Sequence, residues 1–193
     1  MANEFGTLHI STNQAAYEIA RSNNFEFIVT GVEDLLNAGV AADAAAEGDR
    51  TPAAANDTVR LSVVRAFVPN FAQEEIMIQR GNAKIYAAGV PTFEAGNLVV
   101  NDFIGLNTKS VLLAWQRLCY DITTERVGRM ADYKKTCTLI EYTPDYQEVR
   151  KWRLEGCWVK GITENEFNME DASKRQITAN IRFDRAIPIN DVE

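Results

Sequence analysis

From Ile177 to Asp184 the chain alternates without a break: Ile177, Ala179, Ile181 and Phe183 are apolar, while Thr178, Asn180, Arg182 and Asp184 are polar. Successive side chains of a strand point to opposite faces, so a period of two predicts a half-buried strand. The same period recurs in "FEFIVTG" (25–31), where Phe25, Phe27 and Val29 share a side. It returns in "TVRLSVVRAF" (58–67) and "FEAGNLVVND" (93–102). "TCTLIEY" and "EVRKWRLEGCWVKGI" continue the series, joined by Thr143-Pro144-Asp145-Tyr146, a turn with proline at a favoured position. In the second of these, Trp152, Leu154 and Trp158 are expected on one face, Arg153 and Glu155 on the other. "NEFNME" and "RQITANIRFDRAI" are expected to close the chain as another hairpin.

The stretch "EEIMIQRGNAKIYAAG" (74–89) predicts a tight hairpin, because glycine in Gly81-Asn82 supplies the positive φ that a two-residue turn requires. With that turn Ile78 lies opposite Ile85 and Ile76 opposite Ala87 on one face. Gln79 opposite Lys84, Met77 opposite Tyr86 and Glu75 opposite Ala88 make up the other. The first face can join a core. The second must meet either water or another protein surface.

A period near 3.6 occurs once with strength. Val111, Leu112, Trp115, Leu118 and Cys119 form one stripe, Gln116 and Arg117 lie off it, and Asn107 is a suitable N-cap. A shorter helical patch is expected over Asn13–Arg21. From Ala38 to Ala55 half of the residues are alanine, with Gly39, Gly48 and Pro52 as breakers. Alanine has little surface to bury, so this segment reads as a long surface loop.

These elements predict a single domain over 1–193 that is mainly β: an antiparallel β-sandwich or partly closed barrel with one capping α-helix. Its expected parts are a first strand region at 24–35, the alanine-rich surface loop at 38–55 and strands with a long hairpin at 58–102. The helix at 107–121 and C-terminal strands at 132–187 complete it. At 193 residues the chain is long enough to bury a core without staples. The longest unbroken apolar run is Val111–Trp115, far short of a bilayer span. The start "MANEFGTLHIST" has no basic segment followed by an apolar one, so no secretion signal is expected. Three cysteines, Cys119, Cys137 and Cys157, then argue for reduced thiols in a cytoplasmic setting.

Twenty basic residues against 27 acidic ones give a net charge of −7, which repels nucleic-acid phosphate. The one local basic patch is Arg126, Arg129, Lys134 and Lys135, in the expected loop "TTERVGRMADYKK" (123–135). It reads as a solvated loop or as a contact for an acidic partner surface. Candidate chemistry is nearly empty. His9 is the only histidine and sits near a terminus; the cysteines lack metal-ligand spacing. No nucleophile elbow, phosphate loop or dinucleotide fingerprint is present. The pairs Glu164/Glu166 and Glu74/Glu75 read as solvated strand edges. No catalytic residue, cofactor or metal site is therefore expected.

The run "RAFVPNFAQEEIMIQRGNAKIYAAGVPTFEAGNLVVND" (65–102) resembles the segment of contractile-tail (myovirus-type) bacteriophage tail tube proteins that pairs a long hairpin with the next strand. It carries a proline before the first hairpin strand, the turn Arg80-Gly81-Asn82-Ala83-Lys84-Ile85-Tyr86, and Thr92-Phe93-Glu94 leading into Leu98–Asp102. Trp115 in the helix and "DYKKTCTLIEYTPDYQEVRKWRLEGCWVKGI" (132–162) resemble the family's helix and following hairpin. "NEFNMEDASKRQITANIRFDRAI" resembles its last strand pair, so the likeness covers about 58–187.

The resemblance implies a tail-tube-like fold and a structural virion protein of the tail, assembled in the host cytoplasm. Hexameric rings would stack into a rigid inner tube, neighbouring subunits joining their sheets into one barrel. Implied partners are further copies, the sheath protein outside, the tape-measure protein in the lumen, and baseplate and tail terminator proteins. DNA would bind only in passage, and no membrane is involved. The Ile76, Ile78 and Ile85 face would look toward the subunit's own core. Glu75, Met77, Gln79, Lys84 and Tyr86 would face the lumen or an adjoining subunit, and Arg126, Arg129, Lys134 and Lys135 the sheath. Six copies at −7 carry −42 per ring, a sign that lets DNA slide without sticking. The alanine-rich loop is longer than the family pattern. The alternatives are a tube subunit of a bacteriocin, type VI secretion apparatus or extracellular injection particle, and a monomeric ligand-binding or hydrolytic β-barrel.

Overall fold

The computed structural model describes residues 20–32, 53–103, 108–167 and 173–189. In chain order the elements are β1 (Phe25–Thr30), α1 (Ala53–Ser62), β2 (Val63–Arg65), β3 (Phe71–Arg80), β4 (Ala83–Phe93), β5 (Gly96–Asn101) and α2 (Thr108–Cys119). There follow β6 (Tyr120–Asp121), β7 (Arg126–Val127), α3 (Met130–Tyr133), β8 (Lys135–Tyr142), β9 (Glu148–Glu164), β10 (Gln176–Arg182) and β11 (Arg185–Ile189).

One antiparallel sheet carries the fold, in the order β1-β8-β9-β10-β5-β2, with β11 also on β9. β9 is its spine. Its second half pairs with β10 from Ile177↔Glu164 to Arg182↔Trp158, and its first half pairs with β11 from Arg185↔Glu155 to Ile189↔Lys151. β10 and β11 are thus one broken strand along one edge of β9, kinked at Asp184, whose N–H donates to the Glu155 carbonyl at 2.9 Å. Opposite the kink, Gly156 has φ +69°, and a Cβ there would come within 2.2 Å of Asp184 Oδ2. Only glycine fits this bulge without displacing Asp184.

The sheet curls around a core of Phe27, Val29, Leu98, Val100, Leu154, Ile177, Ile181 and Phe183, with α2 laying Val111, Leu112 and Trp115 against it. Ile177, Ala179, Ile181 and Phe183 are all buried, as their alternation predicts. Trp115 satisfies its indole by donating Nε1–H to the Tyr133 carbonyl at 2.8 Å. Cys137 and Cys157 are fully buried, and burial together with the neighbouring Cys157 thiol pushes the Cys137 thiol well up.

Three sequence expectations need correction. Residues 58–62 are not strand: α1 runs to Ser62, and only Val63–Arg65 pairs with β5. Thr58, Val59 and Ser62 are buried at i, i+1 and i+4, and Ser62 Oγ donates to the Thr58 carbonyl at 2.6 Å. The helix at 108–119 is accordingly one of three among the described residues. Trp158 does not share a face with Leu154, because the Gly156 bulge reverses the alternation and buries Cys157 and Val159 instead. The region 123–135 is not a loop throughout but the β6–β7 ribbon followed by α3. Expectations on Asn13–Ile19, His9, Asn107 and positions 38–52 lie outside the described residues, whereas Ala53–Ala55 begin α1. Among the described residues no helix is long and apolar enough to cross a membrane.

Candidate assembly surface

β3 and β4 form a two-stranded sheet of their own. The pairing runs Arg80↔Ala83, Gln79↔Lys84, Ile78↔Ile85, Met77↔Tyr86, Ile76↔Ala87 and Glu75↔Ala88, as the two-residue turn predicts. Gly81 holds φ +63° at that turn. The register shifts by one residue at Glu74, where Gly89 passes so close that a Cβ would lie 2.6 Å from the Glu74 carbonyl oxygen. A bulge at this position increases the twist of the ribbon.

The ribbon is tied to the body at its base by rings. Phe71 packs on Phe93 (5.8 Å between centroids), Phe93 on Phe183 (5.8 Å), and Phe67 stacks on Phe183 at 5.6 Å. Beyond that joint both faces are open. Ile76, Ile78 and Ile85 are 54%, 51% and 49% exposed; Met77 and Tyr86 opposite them are 52% and 58% exposed. The expected packing of the isoleucine face against the subunit's own core is therefore incorrect: β3 and β4 lie outside the main sheet, and none of the three isoleucines joins the core cluster. Glu75, Gln79 and Lys84 share the second face with Met77 and Tyr86 and make no ion pair among the described residues. Both outer edges of the ribbon are also without a strand partner among the described residues.

Such a surface is costly to leave in water. A lone two-stranded ribbon is marginally stable, and exposed edges with apolar side chains recruit further strands. The four basic residues of 126–135 are spread over three elements. Arg126 lies in β7 and Arg129 caps α3, both exposed, while Lys134 pairs with Asp184 at 2.7 Å and Lys135 opens β8, half-buried against Gly31.

The polar clusters tie elements together. Tyr142 donates to Glu26 at 2.8 Å and Arg60 pairs with the same carboxylate, joining α1, β1 and β8. Burial, then the Glu26 hydrogen bond, push the Tyr142 phenol up to about 12. Lys109 and Arg175 clamp Glu164, and the Lys109 hydrogen bond holds its carboxyl below the ordinary value. Sequence reasoning missed these clamps, since their partners lie 11 to 116 residues apart. Among the described residues no three His, Cys, Asp or Glu side chains converge as metal ligands.

No protein-family model and no curated protein matches the chain. Solved structures do. A chain in the cryo-EM structure of the anti-feeding prophage (AFP) baseplate, 6-fold symmetrised, superposes with TM-score 0.60 at 10% identity, over 91% of this chain and 98% of that one. A chain of the extracellular contractile injection system PVC sheath/tube terminator in the extended state gives 0.60 at 15%, over 90% and 97%. The fold is tail-tube-like. A chain of the PVC sheath-tube complex, also extended, shares this tail-tube-like fold at 0.56 and 16% identity, over 93% and 97%. At these identities the likeness is one of architecture: the curled sheet with its capping helix.

Proposed function

We propose that this protein is a tube-forming structural subunit of a contractile injection system, built from stacked six-membered rings and without catalytic activity. The observation that carries the proposal is the β3–β4 ribbon, open on both faces and both edges. Six ribbons joined edge to edge remove every open edge of the ribbons, which one copy alone cannot do. In that arrangement Ile76, Ile78 and Ile85 pack against a neighbouring copy. Glu75, Met77, Gln79, Lys84 and Tyr86 line the bore, and Gly81-Asn82 sits at its rim. The exposed Arg126 and Arg129 stay on the outer side, available to a sheath. Other copies, a sheath, a baseplate and a tube terminator are the partners this role needs.

Between machines, the matched AFP and PVC structures favour an extracellular injection particle. The second reading is the inner tube of a bacteriophage tail, which the likeness of 65–102 to tail tube proteins supports; there the bore would pass DNA. Light scattering on the purified chain tests the shared core of both readings. A ring gives about 130 kDa, six times 21.6 kDa, and negative-stain images show tubes of uniform width. A monomer at every concentration, with no rings in any micrograph, overturns it.

A further inference from the structure

β1 and β2 end the sheet path, so each keeps one strand edge without a partner among the described residues. A cavity of about 1060 Å3 separates the start of β1, where Asn23–Phe25 form one wall, from β2, where Val63–Ala66 form the other. Leu139 and Val149 also line it, and Val68 and Val149 are more than half exposed. Three guanidiniums surround it. Arg150 is held loosely by Glu141 at 3.5 Å, while Arg21 and Arg65 have no ion-pair partner among the described residues. In a chain of net charge −7, this is a local cationic rim around an apolar channel.

We propose that this groove docks an extended acidic strand from a partner protein. The outer edge of β2 and the start of β1 offer N–H and C=O groups to a backbone laid between them, although Asn24 already donates to the Arg21 carbonyl and accepts from the Tyr142 N–H. A strand there turns every second side chain onto the apolar floor and presents the others to Arg21 and Arg65. The occupant is thus a peptide of alternating apolar and carboxylate residues. A second copy of this chain fits less well, since its open ribbon carries Lys84 opposite Gln79 and Arg80 next to its turn. The groove lies in the body and not on the ribbon, so the proposal stands whether or not rings form.

The test uses the full-length protein and a fluorescein-labelled peptide of alternating Glu and Val, read by fluorescence anisotropy. The expected result is saturable binding that falls about five- to tenfold in Arg65→Glu and, separately, in Arg21→Glu, with Arg65→Lys close to the parent. An alternating Lys-Val peptide should bind at least tenfold more weakly. A Glu-Val peptide with two central prolines should lose binding, since it lacks the N–H donors. Hydrogen exchange should slow at Phe25 and Val63–Arg65 when the acidic peptide is added. Equal binding of the Lys peptide, no binding at millimolar concentration, or protection elsewhere would overturn the proposal. So would finding those amides already protected before peptide is added, which would mean that the chain or a second copy fills the groove. Both charge-reversed residues are exposed, and circular dichroism of each variant checks that its fold is retained.

Discussion

Replacing Ile76, Ile78 and Ile85 together by threonine isolates what the ribbon does. Threonine keeps the β-branch, so strand propensity is retained while the apolar face is removed. Full burial of an isoleucine side chain is worth about 1.5–3 kcal/mol, and each of these three is already about half covered. The part left for a neighbouring copy to cover is then about 0.8–1.5 kcal/mol per side chain, or about 2.3–4.5 kcal/mol per ribbon. The contact between adjacent copies should weaken by roughly 50- to 2,000-fold. The body, whose core lacks these side chains, should unfold with a midpoint close to that of the parent. Sedimentation velocity across a concentration series reads the first quantity and denaturant unfolding of the dissociated chain the second. The reasoning is refuted if the isolated chain loses several kcal/mol of stability while rings persist, because the isoleucines would then belong to the subunit's own core.

Gly81→Val forces a β-branched residue to φ +63°, at a cost of roughly 1–2 kcal/mol or more, and should abolish rings while the body still folds, as seen by light scattering with circular dichroism. Ile177→Ala, at a fully buried position in β10, should destabilise the body by about 2–5 kcal/mol in urea unfolding. Tyr142 carries a pH signature. Its folded pKa of about 12 lies above the ordinary 10, so the folded state keeps a proton that the unfolded state releases. Its contribution is complete below pH 10 and falls away between pH 10 and 12, by about 1 kcal/mol once screening by solvent is allowed for. Tyr142→Phe should flatten that part of the stability profile relative to the parent, and an unchanged slope would contradict the Glu26 contact. Gly156→Ala should cost about 1–3 kcal/mol, since its φ is +69° and Asp184 must move, and a crystal structure of the variant should show the kink displaced.

Where a strand borders the body's core, the sequence already displays its inward face, as at Phe27 and Val29 or Ile177 to Phe183. The hairpin register was equally legible between the turn and Glu75, because Gly81-Asn82 fixes the pairing there; the bulge at Glu74, which shifts Phe71–Gln73 by one, was not. Residues 58–62 deceived for a physical reason. Val59, Leu61 and Val63 alternate like a strand, while Thr58, Val59 and Ser62 also form a helical face, and so short a window cannot separate the two periods. Trp158 was misplaced because one glycine bulge shifts every following side chain to the other face. The isoleucine face shows the deeper limit. Alternation states that Ile76, Ile78 and Ile85 share a side, yet says nothing of what covers that side; that depends on where the ribbon leaves the body.

β2 and β5 are hydrogen-bonded neighbours, Val63 opposite Val100, and the whole ribbon is an excursion that departs from one and returns to the other. Its two roots are clamped side by side whatever happens further out. Residues can therefore be added, removed or recoloured between positions 71 and 93 without rethreading any strand of the shell. In the proposed tube, bore width and wall chemistry would then form an interchangeable module, free to follow the cargo while the outer fittings stay fixed.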